Sequence, residues 1–111
     1  MRRITILLAV ILTARLGVNY YNGARETFYN LKMDRVIERA HENGIQGDYW
    51  VREDGVKMIG PYVIVATDWN LHPYGSVVDT SLGAGLVLDT GTFTDRSTVD
   101  IATDWGKGGK T

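Results

Sequence analysis

At 111 residues the chain has room for one hydrophobic core and not for two, since single cores typically organise roughly 100 to 150 residues. It contains no cysteine, which excludes disulfides, thiolate nucleophiles and thiolate metal sites; its two histidines, His41 and His72, have no HxxxH or HxH spacing, so neither a metal nor a cofactor is expected. Formal charge is −1, but beyond residue 22 there are 9 basic and 13 acidic residues, and the aromatics are not interleaved with Lys or Arg, which argues against nucleic acid as a partner.

In chain order, Met1-Arg2-Arg3 precede an apolar run from Ile4 to Leu12 broken only by Thr5. A charged start followed by a short apolar stretch reads as a signal peptide or signal anchor over residues 1–16, because spanning a bilayer takes about 20 apolar residues. The competing reading is a buried strand or helix of the domain itself. If the segment is retained, it is the chain's one expected tie to a membrane.

A single domain is expected over residues 17–105. Aromatic and β-branched clusters on either side of Asn22-Gly23 predict a hairpin within 17–31. Asp34, then Val36, Ile37 and Ala40 with charged residues on the other side, then Asn43-Gly44, predict one short amphipathic helix. Short strands follow at Tyr49 to Arg52, Val56 to Ile59, Tyr62 to Thr67, Ser76 to Thr80, Gly85 to Leu88 and Thr98 to Thr103. The fold class is thus mainly β, six to eight strands with one helix, and the Gly- and Lys-rich residues 106–111 form a flexible tail.

Chemistry concentrates in the second half, where three apolar segments lead into an acid: Val63 to Asp68, Leu86 to Asp89, and Thr98 to Asp100. Acids at the ends of neighbouring strands can converge, and a carboxyl among apolar neighbours can hold a proton for delivery to a leaving group. The structural alternative is that each Asp caps a turn through backbone hydrogen bonds, the reading given to Asp79, Asp95 and Asp104. Val87-Leu88-Asp89-Thr90-Gly91 has the apolar-Asp-Thr-Gly form of aspartic proteases, but there the motif comes early, whereas here only 20 residues follow Gly91.

Ala66-Thr67-Asp68, Pro73-Tyr74-Gly75-Ser76, Asp89-Thr90-Gly91 and Val99-Asp100-Ile101 occur in that order and at the aspartate gaps of one family. From Pro61 to about Trp105 the chain resembles the three-aspartate (3D) domain of secreted bacterial cell-wall lytic enzymes, related to membrane-bound lytic transglycosylase A. The resemblance implies a double-psi β-barrel, export to the envelope of a bacterium or a phage-borne origin, and cleavage of the MurNAc-GlcNAc bond of peptidoglycan strands. It further implies Asp100 as catalytic acid/base, with Asp89 and Asp68 supporting it. Trp69, Tyr74, Thr90 and Arg96 beside the motifs are the candidate substrate contacts, while Trp50 and Trp105 are read as core.

Two departures stand out. Thr92 occupies the place of the family's second glycine, and Phe93 to Ser97 replaces its Ala-Ile-Lys-Gly run, leaving no lysine between Lys57 and Lys107. Arg96 is the one cation available to take that role. The alternatives are a barrel that binds wall glycan without cleaving it, and a structural module of a phage or secretion assembly.

Overall fold

A computed structural model describes residues 18–106. The expectations for residues 1–16 and for 107–111 lie outside the described residues. Gly106, assigned to the tail, accepts a hydrogen bond at its carbonyl from the Asn30 amide at 2.9 Å.

Eight strands and one helix make up the described chain: β1 (Asn19–Tyr21), β2 (Ala24–Tyr29), α1 (Asp34–Glu42), β3 (Tyr49–Val51), β4 (Lys57–Ile59), β5 (Tyr62–Thr67), β6 (Val77–Thr80), β7 (Gly83–Thr90) and β8 (Val99–Ala102). Pairing runs β1-β2-β8-β5-β4-β3, with β7 also on β5 and β6 beyond it. The fold is mainly β, and this pairing does not close on itself.

The β1–β2 hairpin turns on Asn22 and Gly23, both at positive φ, as a two-residue turn that matches strand twist requires. Helix α1 ends in a Schellman motif: Gly44 N–H donates to His41 O and Ile45 N–H to Ala40 O, with Gly44 at φ 82°. Its start differs from expectation. Met33, not Asp34, is the capping position and makes no side-chain cap, so Asp34 serves instead as an acid in the first turn, where the helix dipole favours it. Val36 and Ala40, four apart, face the sheet.

β5 is the hub. Its first half pairs antiparallel with β4, its second half antiparallel with β8, and its other edge runs parallel to β7. A strand so surrounded is buried on both faces, which is why Val63-Ile64-Val65-Ala66 is a continuous apolar run and not an alternating one. Odd and even residues feed two cores. Ile64, Ala66, Leu86, Leu88 and Ala102 pack with Tyr29 and the helix residues Met33, Val36 and Ala40. Val63, Val65, Val87, Val99 and Ile101 pack with Val56, Met58 and Leu82 on the opposite face, with Phe28 and Trp105 beside them.

Trp50, read as core, lies instead on β3 at the end of the sheet, 44% exposed, its indole N–H bound to Gly60 O at 2.8 Å. An end strand has a partner on one side only, so its aromatic character did not imply burial. Asp79 sits inside β6, where it accepts the Tyr21 hydroxyl, and not in a turn.

The β3–β4 turn is fixed by a forked ion pair: Arg52 Nε and Nη2 reach the two Asp54 carboxylate oxygens at 3.0 and 2.7 Å, and Arg52 Nη1 reaches Leu82 O at 2.9 Å. Burial pushes the Asp54 pKa up, but the Arg52 hydrogen bonds and the Val56 N–H outweigh it and hold the carboxyl below its usual 3.8. A carboxyl depressed in the folded state contributes stability that is full above the unfolded value and is lost as pH falls through the folded one. Thermal unfolding followed from pH 7 downward is therefore expected to show an acid limb below about 4 that is shallower in Asp54→Asn. Superimposable limbs for the two proteins would contradict this assignment.

Candidate functional site

The site is one row across four strands. Thr27 of β2 pairs with Asp100 of β8, Asp100 pairs with Ala66 of β5, and Ala66 pairs with Asp89 of β7. Residues paired directly across a sheet project from the same face. Asp100, between the core residues Val99 and Ile101, faces away from them, toward the side that carries Ala66 and α1.

Asp89 reaches that face only through an irregularity. By strict alternation from Leu86, residue 89 would point with Val87 into the opposite core. Between Val65 and Ala66 the register with β7 slips, so that Val65 pairs with Val87 but Ala66 with Asp89. Such a bulge inserts one residue, here Leu88, and re-aims the residues after it. Both Leu88 and Asp89 therefore project toward the α1 side. Between the two acids stands the methyl group of Ala66, and their Cα atoms are about two strand spacings apart, roughly 9.5 Å.

Two residues that sequence reasoning missed complete the cluster. Thr27 Oγ1 donates to Asp100 Oδ1 at 2.8 Å, and the Tyr29 hydroxyl donates to Asp89 Oδ2 at 3.1 Å. The Thr90 N–H donates to Asp89 Oδ1 at 2.9 Å. Tyr29 is buried, and its phenol is pushed far above the ordinary value of 10 by burial first, then by the charges of Asp89 and Asp100 and the hydrogen bond to Asp89. Its proton thus stays in place as a donor across the accessible pH range. Asp89 is 9% and Asp100 6% exposed. In the sequence Thr27 and Tyr29 stand out only as part of Glu26-Thr27-Phe28-Tyr29, which is similar to the lead-in segment of Gram-positive and phage-borne members of the three-aspartate family and carries no site assignment.

Asp68 is placed otherwise. It follows the end of β5, where its Oδ1 accepts the Asn70 N–H at 2.9 Å and its carbonyl accepts the N–H groups of Leu71 and His72. This is the turn-capping alternative realised. Its Oδ2 takes the Arg96 Nε at 2.5 Å, and that hydrogen bond first, then the Asn70 N–H, holds the carboxyl below its usual range. Arg96 and Asp68, proposed separately from the sequence, are thus partners, and the Asp89–Asp100 pair is a two-acid cluster with Asp68 at its margin.

Among the candidate contacts, Trp69 is 36% exposed and its indole N–H donates to the Asp89 carbonyl at 2.9 Å, fixing the ring next to the acid's strand. Tyr74 packs edge-on against it with ring centroids 5.4 Å apart, and the Tyr74 hydroxyl accepts from the Asn43 amide at the end of α1. Thr90 Oγ1 is turned to Thr67 O at 2.8 Å, tying β7 to β5. Trp105 joins the second core, 5.0 Å from Phe28 between ring centroids.

Among the described residues no group of three or more His, Asp or Glu side chains gathers as a metal site, and no helix is long and apolar enough to cross a membrane. No protein-family model, curated protein or solved structure matches the chain.

Proposed function

We propose that this protein is an exported peptidoglycan lytic transglycosylase of the three-aspartate type, built on a double-psi β-barrel, with Asp100 as its acid/base. The observation that carries the reading is the Thr27–Asp100–Ala66–Asp89 row, in which two acids 11 positions apart in sequence stand on one face across a single alanine. The two parallel pairs, β2 with β8 and β5 with β7, joined through antiparallel β5 and β8, support the double-psi arrangement.

A transglycosylase needs one acid where a glycosidase uses two carboxyls in separate roles. Asp100 gives its proton to the glycosidic oxygen as the C1–O bond breaks. As carboxylate it then takes the proton of the MurNAc C6 hydroxyl, whose oxygen bonds to C1. The products are a free hydroxyl and a 1,6-anhydro ring; no water is consumed and Asp100 ends protonated. Thr27 orients Asp100, while Tyr29 and the Thr90 N–H hold Asp89 beside it. The exposed face of Trp69, steadied by Tyr74, suits the C–H face of a sugar ring.

The test is a digest of purified sacculi by the full chain, with muropeptides weighed by mass spectrometry. Products lighter by one water than hydrolytic muropeptides are expected. Hydrolytic products would overturn the reaction, and sacculus binding without any product would select the second reading, a glycan-binding barrel. That second reading draws support from the low exposure of both acids and from the atypical segment between Asp89 and Asp100.

A further inference from the structure

We propose that residues Gly91 to Ser97 form a lid over the Asp89–Asp100 pair and that the Asp68–Arg96 ion pair is its latch. The segment leaves β7 directly after Asp89-Thr90 and returns to β8 just ahead of Asp100, so its two roots are the two acids' own strands. Asp89 and Asp100 are only 9% and 6% exposed, too little for a glycan strand to reach them unless something above them moves, and the segment between them is the chain that joins their two strands.

The segment is held down at two points of different kinds. Phe93 packs against the same core as Leu88, Ala66 and Tyr29, and its ring folds back on Gly91, where a Cβ would lie 3.3 Å from Phe93 Cζ. Arg96 is the second point. Asp95 Oδ1 accepts both the N–H and the hydroxyl of Ser97, and the Asp95 carbonyl accepts the Thr98 N–H, a compact turn that presents the intervening Arg96 outward to Asp68. Arg96 is exposed and Asp68 partly so. A pair in that setting is weak and screened by salt. A weak, exposed tie between two loops is suited to a closure that must open repeatedly.

The sequence departs from its family resemblance in this same segment, and the lid gives Phe93 and Arg96 a role that does not depend on the substrate. It also assigns Asp68 to access and not to proton transfer.

The chain's lack of cysteine makes the test direct. Ala66→Cys places one thiol between the two acids, and Val65→Cys places one on the opposite face. Labelling of each by the neutral disulfide 4,4′-dithiodipyridine is followed at low and high salt, with and without Arg96→Ala and Asp68→Asn. Arg96→Ala is expected to speed labelling at position 66 by about three- to fivefold, high salt to do the same, and Asp68→Asn to add nothing in the double variant. Position 65 should be unaffected, since it reports opening of the whole fold. An unchanged rate at 66, or equal acceleration at 65 and 66, overturns the lid. Should Ala66→Cys not fold, amide exchange in Arg96→Ala alone decides: acceleration confined to residues 91–98 supports the lid, and unchanged or fold-wide exchange overturns it. Neither measurement contains glycan, so failure here leaves the transglycosylase reading standing, and the reverse holds.

Discussion

Asp100→Asn is expected to reduce release of anhydro-muropeptides from sacculi by about 10²- to 10⁴-fold, the range that a positioned acid/base contributes. Asparagine has nearly the shape of aspartate, and its carbonyl oxygen can still accept the Thr27 hydroxyl that Asp100 accepts at 2.8 Å, so the thermal midpoint should change little. What it cannot do is give a proton to a leaving oxygen and then take one from the C6 hydroxyl. Asp89→Asn should lose less, because Asp89 is placed to orient and not to transfer. Its two donors bond different oxygens, so in asparagine the carbonyl oxygen can keep the Thr90 N–H only if the NH₂ faces Tyr29, whose hydroxyl must then turn to accept, and some loss of order is expected. Asp68→Asn should lose least, because its remaining oxygen can still accept the Asn70 N–H and the lost Arg96 pair closes the site without taking part in the proton transfer. The check is the initial rate of anhydro product formation by mass spectrometry, with circular dichroism to confirm the fold. Full activity in Asp100→Asn would remove it as the acid, and an order in which Asp68→Asn lost most would reassign the site.

The placement of the acids was partly legible in the sequence, and the reason it was only partly so is physical. Local rules sufficed where structure is local: Asn22-Gly23 for the first turn, Asn43-Gly44 for the end of α1, and the apolar run for β5. The site is not local. Thr27 lies 73 residues from Asp100 and Tyr29 lies 60 from Asp89, and nothing in a strand's own sequence names its neighbour. The bulge at Ala66 is the sharper case. Period-2 alternation would send Asp89 to the opposite core, and only the register shift beside Ala66, which no local sequence signal announces, brings it to the face that carries Asp100. Asp68 shows why both readings of a strand-end acid had to stay open: convergence and turn-capping look alike in sequence, and it is the hydrogen bonds to Asn70, Leu71 and His72 that make it the anchor of its turn. Trp50 was misjudged because hydrophobicity reports what a residue tolerates, and strand order, which decides exposure, is a long-range property.

The largest effect on stability is expected at Glu26, which takes no part in the proposed chemistry. It is 1% exposed on β2; its Oε1 accepts the Asn19 amide at 2.9 Å and the Ser81 hydroxyl at 2.6 Å, and its Oε2 accepts the Ser81 N–H at 2.9 Å. These bonds join β1, β2 and the β6–β7 turn at one carboxylate. Two effects oppose each other in Glu26→Ala. Removing a buried charge relieves the cost of its desolvation, and if all its partners were made apolar together the net change would be small. The single substitution instead leaves the donors of Asn19 and Ser81 facing a void, each forfeiting about 1 to 3 kcal/mol, with a cavity added. Two or more such losses exceed the relief, and a net destabilisation of about 3 kcal/mol is expected, a fall in thermal midpoint on the order of 15 °C for a domain this size. Glu26→Gln keeps the shape and one acceptor and should lose roughly half as much. Urea unfolding separates this from a change in the unfolded chain, since the midpoint should fall with the slope unaltered. A shift under about 2 °C in Glu26→Ala would show that relief of desolvation had won. Because Glu26 directly precedes Thr27, the same loss would loosen the strand that sets the Thr27 hydroxyl against Asp100. Activity in Glu26→Ala should therefore fall with temperature well before the fold is lost, whereas activity in Asp100→Asn should be low at every temperature.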